Sequence, residues 1–291
     1  MTTPHSPFTE RTVQLSDGTQ LALRTASGPK RPFLLVHGLA SNALMWELVG
    51  ERLAAAGHEV VAVDLRGHGR SARPVEGYST AQSSADLAQL IELMAWGSAR
   101  HPVVAGQSWG GNVVLHLAAH TDAVHSVVAV DGGWIHLAER YPTFDECWQQ
   151  LTPPDFDSTS WHDLRQRLSR MLEGWPEGSL NAVLGNLEHT EGGGVRSRLA
   201  REHHRSIVHS LWADNPVDYY PTVAAPTLFL VAGDSVTSPE KAASLVRATA
   251  ALADTSVRWY PGAHHDLHLQ HPDRVAEDLL LMLESPTPEV G

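Results

Sequence analysis

The chain has 291 residues, one cysteine and a net charge of −12. One cysteine excludes an internal disulfide, the negative balance argues against nucleic acid as a partner, and no apolar run approaches the roughly twenty residues of a membrane span. With no apolar run behind a basic start at residues 1–7 either, we expect a cytoplasmic protein acting on a small molecule, with neither membrane nor nucleic acid as partner and the oligomeric state left open.

Thr12 to Leu15 and Leu21 to Thr25 alternate around Ser16-Asp17-Gly18-Thr19 and read as an opening β-hairpin. Phe33-Leu34-Leu35-Val36 is a continuous apolar run suited to a strand buried on both faces, and it runs into His37-Gly38-Leu39-Ala40. A helical period from about Leu44 to Ala56 stops at Gly57, and a strand from Glu59 to Asp64 follows. The alternation continues with a helix near Ala81 to Trp96, a strand before Ser108, a helix to about His120 and a strand from Ser126 to Asp131. Buried strands alternating with helices make a parallel sheet covered on both faces.

After Gly132-Gly133 the pattern breaks. Residues 134–221 hold amphipathic pieces near Phe144 to Leu151, Trp161 to Leu172 and Val195 to Trp212, so they read as an inserted helical cap on a core of residues 1–133 and 222–291. The core resumes with a strand Thr227 to Gly233, a helix Pro239 to Leu252, a strand Ser256 to Tyr260 and a helix Pro272 to Glu284; residues 285–291 read as a frayed tail. Eighteen histidines invite a test for metal ligation, but the nearest approach to a cluster is His203-His204 with His209, off the i, i+4 spacing. They are read as solvated helix residues, and neither metal nor cofactor is expected.

One junction organises the rest. Val103-Val104-Ala105-Gly106-Gln107-Ser108-Trp109-Gly110-Gly111 passes from a buried strand through a sharp turn into a helix. Such a turn strains the serine backbone, needs residues without a Cβ beside it, and lifts the hydroxyl toward the N–H groups that open the helix. The G-x-S-x-G pattern alone is common in surface turns; its place between buried strand and helix gives it meaning. Here the chain resembles the α/β-hydrolase superfamily.

A serine hydroxyl near pH 7 needs a base, and the base needs a carboxylate to fix its tautomer. In an open α/β sheet both belong in loops at the carboxyl ends of strands. Asp234 follows the strand ending at Gly233, and His264 and His265 follow the strand ending at Tyr260, in the superfamily's order of serine, acid, histidine. The superfamily's P-G-x-G-H pattern, laid on Pro261-Gly262-Ala263-His264-His265, implies His265 as the base, with His264 where a glycine is usual. For the acid, resemblance of Gly233-Asp234-Ser235-Val236 to a G-x-x-D-x-V segment favours Asp234, one spacer short; Asp131, after the preceding core strand, is the position some relatives use and stays open.

Resemblance to the family's H-G-x loop implies that the backbone N–H groups of Leu39 and Trp109 form an oxyanion hole. Asp64-Leu65-Arg66-Gly67-His68-Gly69-Arg70-Ser71 matches its D-x-R-G-x-G-x-S loop and reads as structural. Five of the nine tryptophans fall in residues 134–221, so an aromatic lid is expected, with Trp109 and Trp134 against the substrate. The resemblance implies a serine hydrolase; the apolar lid and the lack of an arginine or lysine cluster near the motifs lead us to expect an uncharged, largely apolar ester, lactone or thioester as its substrate. Iminopeptidases, carbon–carbon bond hydrolases and perhydrolases share this machinery, and a non-catalytic receptor on the same scaffold is the alternative of another class.

Overall fold

The protein is described from a computed structural model covering residues 6–156 and 159–284; the expectations for the first five residues and for the tail 285–291 lie outside them. The chain runs β1 (Thr9–Gln14), β2 (Gln20–Ala26), β3 (Lys30–Val36), α1 (Glu47–Ala55), β4 (His58–Val63), α2 (Thr80–Met94), β5 (Val103–Gln107), α3 (Trp109–His120) and β6 (Ser126–Val130). Then come α4 (Phe144–Leu151), α5 (Trp161–Met171), α6 (Ser179–Leu184), β7 (Leu187–His189), β8 (Val195–Ser197), α7 (Arg201–Ala213), β9 (Thr227–Ala232), α8 (Pro239–Ala251), β10 (Thr255–Tyr260), α9 (Leu267–Gln270) and α10 (Pro272–Leu281).

Eight strands form one sheet in the order β1-β2-β4-β3-β5-β6-β9-β10. β1, β2 and β4 pair antiparallel, and every pairing from β4 through β3 to β10 is parallel. The continuous apolar runs supply both faces at once. Leu34 and Val36 of β3 join a core with Leu87 and Leu90 of α2, Val113 and Leu117 of α3 and Leu245 of α8. Phe33 and Leu35, pointing the other way, join Val49 and Leu53 of α1 and Val275 and Leu279 of α10. The expected α/β fold is therefore present.

Register then gathers the loops of interest. Val36 pairs with Gly106, Gln107 with Val130, Val130 with Leu230, and Tyr260 with Ala232. The residues that follow these strands, from His37, Ser108, Asp131, Gly233 and Pro261 onward, emerge along one edge of the sheet.

The insert differs from expectation in two respects. Val195–Ser197 is a strand paired with Leu187–His189, so the helix expected from Val195 begins at Arg201. The short α6 was not anticipated, because six residues hold too few turns to show a period. His203 and His204 are buried at 8% and 9% exposure, not solvated; His203 stacks on Tyr78 at 3.9 Å between centroids. Among the described residues no group of three or more His, Cys, Asp or Glu is placed to hold a metal ion, and no helix is long and apolar enough to cross a membrane.

Candidate active site

Ser108 stands between β5 and α3 with φ 55° and ψ −124°, a strained conformation for a residue with a Cβ. The turn holds because nothing protrudes beside it. A Cβ on Gly106 would lie 2.1 Å from the Gly110 carbonyl oxygen, and one on Gly110 would lie 2.5 Å from that of His37. The Ser108 N–H donates to the Val130 carbonyl at 2.8 Å and its own carbonyl accepts from Gly111 N at 2.9 Å, so the serine is pinned against the end of β6.

Asp131 follows at once on β6, in the left-handed region at φ 44°, with 1% of its side chain exposed. Its Oδ2 accepts from His265 Nδ1 at 2.6 Å, which leaves Nε2 as that ring's other nitrogen. Its Oδ1 accepts from the Ala232 N–H at 3.0 Å, and Lys241 Nζ reaches both oxygens at 2.8 and 2.9 Å. Burial alone would raise the Asp131 carboxyl; its bonds to His265 and Lys241 outweigh that and hold it below the usual carboxylate range. His265 keeps 53% of its side chain exposed; the desolvation of its inner part pushes it down, but the bond to Asp131 and its charge reverse the sign, with Asp266 adding to the rise and Lys241 opposing it. The net direction for His265 is up.

Asp234, the acid favoured from sequence, does not meet His265. Its Oδ1 accepts from the Val236 and Thr237 N–H groups at 2.9 and 2.8 Å, and its Oδ2 accepts from the Thr237 hydroxyl at 2.8 Å. It is a partly exposed turn-capping carboxylate, held below the ordinary carboxylate range by the Thr237 hydrogen bonds. The correction follows from the missing spacer: immediately after Gly233, at φ 97°, the chain folds into its own Asx turn and not toward the histidine. His264 sits apart, its ring 5.5 Å from that of Trp175 and its N–H bonded to Gln270 Oε1 at 2.8 Å.

The loop after β3 is built from buried imidazoles. Leu65 N donates to His37 Nε2 at 3.0 Å, so Nδ1 carries the proton given to the Gly38 carbonyl at 2.7 Å. Ala40, at φ 54°, donates its N–H to His68 Nε2 at 3.2 Å, while His68 Nδ1 bonds the Arg66 carbonyl at 2.9 Å. Burial keeps both rings neutral, His68 well below its ordinary range. Arg66 is held by a two-pronged pair with Asp86, both contacts 2.6 Å, and Asp64 caps Ala43 N and Arg70 N at 2.7 and 2.8 Å. Among the described residues no acceptor meets the N–H of Leu39 or of Trp109.

Leu39, Ala40, Ser108 and Trp109 line one side of a cavity of about 590 Å³. The insert supplies the other side, with Leu151, Pro153, Pro154, Phe156, Leu164 and Leu168 among the apolar groups and, among the described residues, Arg167 as the one formally charged side chain. His204 lines it as well, pushed down by burial. Trp109 is fully buried, its indole donating to Thr80 Oγ1 at 3.1 Å. Trp134 is not at this cavity: it packs on Phe229 at 5.7 Å and lines a separate depression with Lys241. Of the other insert tryptophans, Trp161 packs on His189 at 3.9 Å, Trp212 is tied by a 2.8 Å bond to the Tyr141 carbonyl, and Trp175 packs on His264 of the core. In place of the expected tryptophans, the described lid residues at the cavity are mainly aliphatic, with Phe156 among them.

Against known proteins, residues 33–278 match the model of the alpha/beta hydrolase family. Over 125 residues, 43% of each chain, the protein is 37% identical to 2-(acetamidomethylene)succinate hydrolase of Mesorhizobium japonicum. It is 34% identical to epoxide hydrolase A of Mycobacterium tuberculosis over 46% of this chain and 42% of that one. In both cases the matched segment spans less than half the relative's length. Among solved structures, E-2-(acetamidomethylene)succinate hydrolase superposes with TM-score 0.75 at 24% identity, over 96% of this chain and all of the other. An esterase from Exiguobacterium antarcticum gives 0.73 at 20% identity over 95% of this chain and 100% of that one.

Proposed function

The chain belongs to the alpha/beta hydrolase family and is a hydrolase, and from that premise we propose a serine acyl hydrolase whose triad is Ser108, His265 and Asp131. The observation that carries the reading is the 2.6 Å bond from His265 Nδ1 to a buried carboxylate one residue beyond the strand that pins Ser108. Ser108 Oγ attacks the substrate carbonyl carbon while His265 Nε2 takes the hydroxyl proton. Asp131 accepts the Nδ1 proton throughout and stabilises the imidazolium without being protonated. The oxyanion is received by the Leu39 and Trp109 N–H groups. Collapse expels the leaving group, which takes the proton from Nε2 and leaves an ester on Ser108. Water, deprotonated by the same nitrogen, then attacks that ester; the acid departs and Ser108 recovers its proton.

The cavity supports an acyl or alcohol part that is largely apolar, and the insert acts as a cap that shapes it. A second reading is favoured by Arg167: a carboxylate at the end of the substrate remote from the scissile bond, in keeping with the succinate in the first relative's name. An epoxide-opening reading is less apt, because position 108 offers a hydroxyl where that chemistry in this fold uses a carboxylate. A fluorophosphonate probe and p-nitrophenyl esters, neutral and hemisuccinate, test the proposal. Labelling at Ser108 with ester turnover lost in Ser108→Ala supports it; an unlabelled serine and no turnover of any ester or amide overturns it.

A further inference from the structure

The acid of the proposed triad has a cation bound to it that acyl transfer by serine, histidine and carboxylate does not itself require. Lys241, in the first turn of α8, donates to both Asp131 oxygens and, at 3.1 Å, to the Ala232 carbonyl. Three acceptors match the three protons of an ammonium, so the group is fully saturated at one position. Ala232 N and Ala232 O thus flank the same carboxylate–ammonium pair, the first bonding Asp131 directly and the second through Lys241. The segment after β9, which the sequence favours as the source of the acid, supplies the acid's counter-ion instead, from the start of α8.

Resting on the triad reading, we propose that Lys241 is a positioning residue that locks the Asp131 carboxylate for His265 and weakens that histidine as a base. Asp131 alone would present a full negative charge to the imidazolium. Paired with Lys241 it presents a much smaller net field, and its oxygens are no longer free to rotate away from Nδ1. The other groups facing His265 have fixed parts in the balance. Asp266, adjacent in the chain and bonded by Gln107 Nε2 at 3.3 Å, favours the imidazolium; buried His268 on α9 is itself neutral; His264 faces Trp175. Lys241 can be neutralised without replacing Ser108, His265 or Asp131.

The test is the titration of His265 followed by ring NMR in the Ser108→Ala background, together with the pH profile of kcat/KM in the Ser108 protein. Lys241→Met should move both midpoints upward by about half a pH unit or more, less than the roughly 1–3 units of a directly adjacent charge because Lys241 acts across Asp131 on a partly exposed ring. Lys241→Arg should restore them. Unmoved or lowered midpoints in a folded Lys241→Met protein overturn the proposal and reduce Lys241 to a structural tie. If the Met variant does not fold, Lys241→Gln is read by the same criterion. The NMR titration needs no turnover, so failure of the triad reading would show as activity surviving Ser108→Ala and is separable from failure here.

Discussion

Acidification from pH 7 to 5 should weaken this fold before its carboxylates titrate. His37, His68 and His268 are fully buried, and His268 is pushed down to about 3 by burial, with neither ring nitrogen meeting a partner among the described residues. Unfolded, each would take up a proton near pH 6.5; folded, each stays neutral. The sign is fixed: the unfolded state binds more protons, so stability falls as pH falls below about 6.5 and goes on falling to the folded pKa. For His268 alone the loss at pH 5 is about 2 kcal/mol, 1.5 pH units at about 1.4 kcal/mol each, and His37 and His68 add in the same direction. His265, raised, opposes with one group. Against a typical stability of about 5–15 kcal/mol the sum is large. Urea titrations followed by tryptophan fluorescence should show the midpoint dropping steeply between pH 6.5 and 5. His268→Phe, which packs on Trp46 as the imidazole does at 4.6 Å, should lower the slope by about one proton. A midpoint flat down to pH 4.5, or a His268→Phe slope equal to the parent's, refutes the reasoning.

Removing the proposed base by His265→Ala should lower kcat by about four orders of magnitude or more, whereas His264→Ala should keep most of the rate; esterase kinetics with the two variants decides this. Hydrolysis should rise with pH through a midpoint above the ordinary 6.5 of histidine, because only neutral His265 accepts the serine proton and Asp131 raises its affinity for that proton; a midpoint below 6 contradicts the pairing. Gly106→Ala should cost about 3 kcal/mol, the upper end of overpacking, since its Cβ meets backbone and not a side chain that can turn away; thermal unfolding measures it.

Much of this architecture was legible in the sequence for a physical reason. Runs such as Phe33–Val36 and Val103–Ala105 are apolar at every position, which only a two-faced burial satisfies, and the glycines at 106 and 110 mark close backbone approach. The loop edge could then be inferred from where each run stops. What could not be inferred is how far a loop reaches. Asp131 and Asp234 both follow buried strands, and nothing in composition says that one turns inward at φ 44° while the other caps its own turn. Lys241 carries no motif, and its partner is 110 residues away in the chain. His203 and His204 were read as solvated because the buried stripe of α7, with Ile207, Val208 and Leu211, includes them as its polar members. Tryptophan count points to the cavity, but large aromatic groups also serve to pack an insert internally and onto its core, as Trp161 does on His189 and Trp134 on Phe229.

The most direct measurement sets the two carboxylates against each other. Asp131→Asn and Asp234→Asn keep volume and remove charge, and kcat for one p-nitrophenyl ester at pH 8 compares them under identical conditions. Asp131→Asn should fall by about four orders of magnitude, as loss of the orienting carboxylate does in other triads, while Asp234→Asn stays close to the parent. The reverse order, or an Asp131→Asn protein retaining more than about a tenth of the parent rate, would contradict the Ser108–His265–Asp131 assignment.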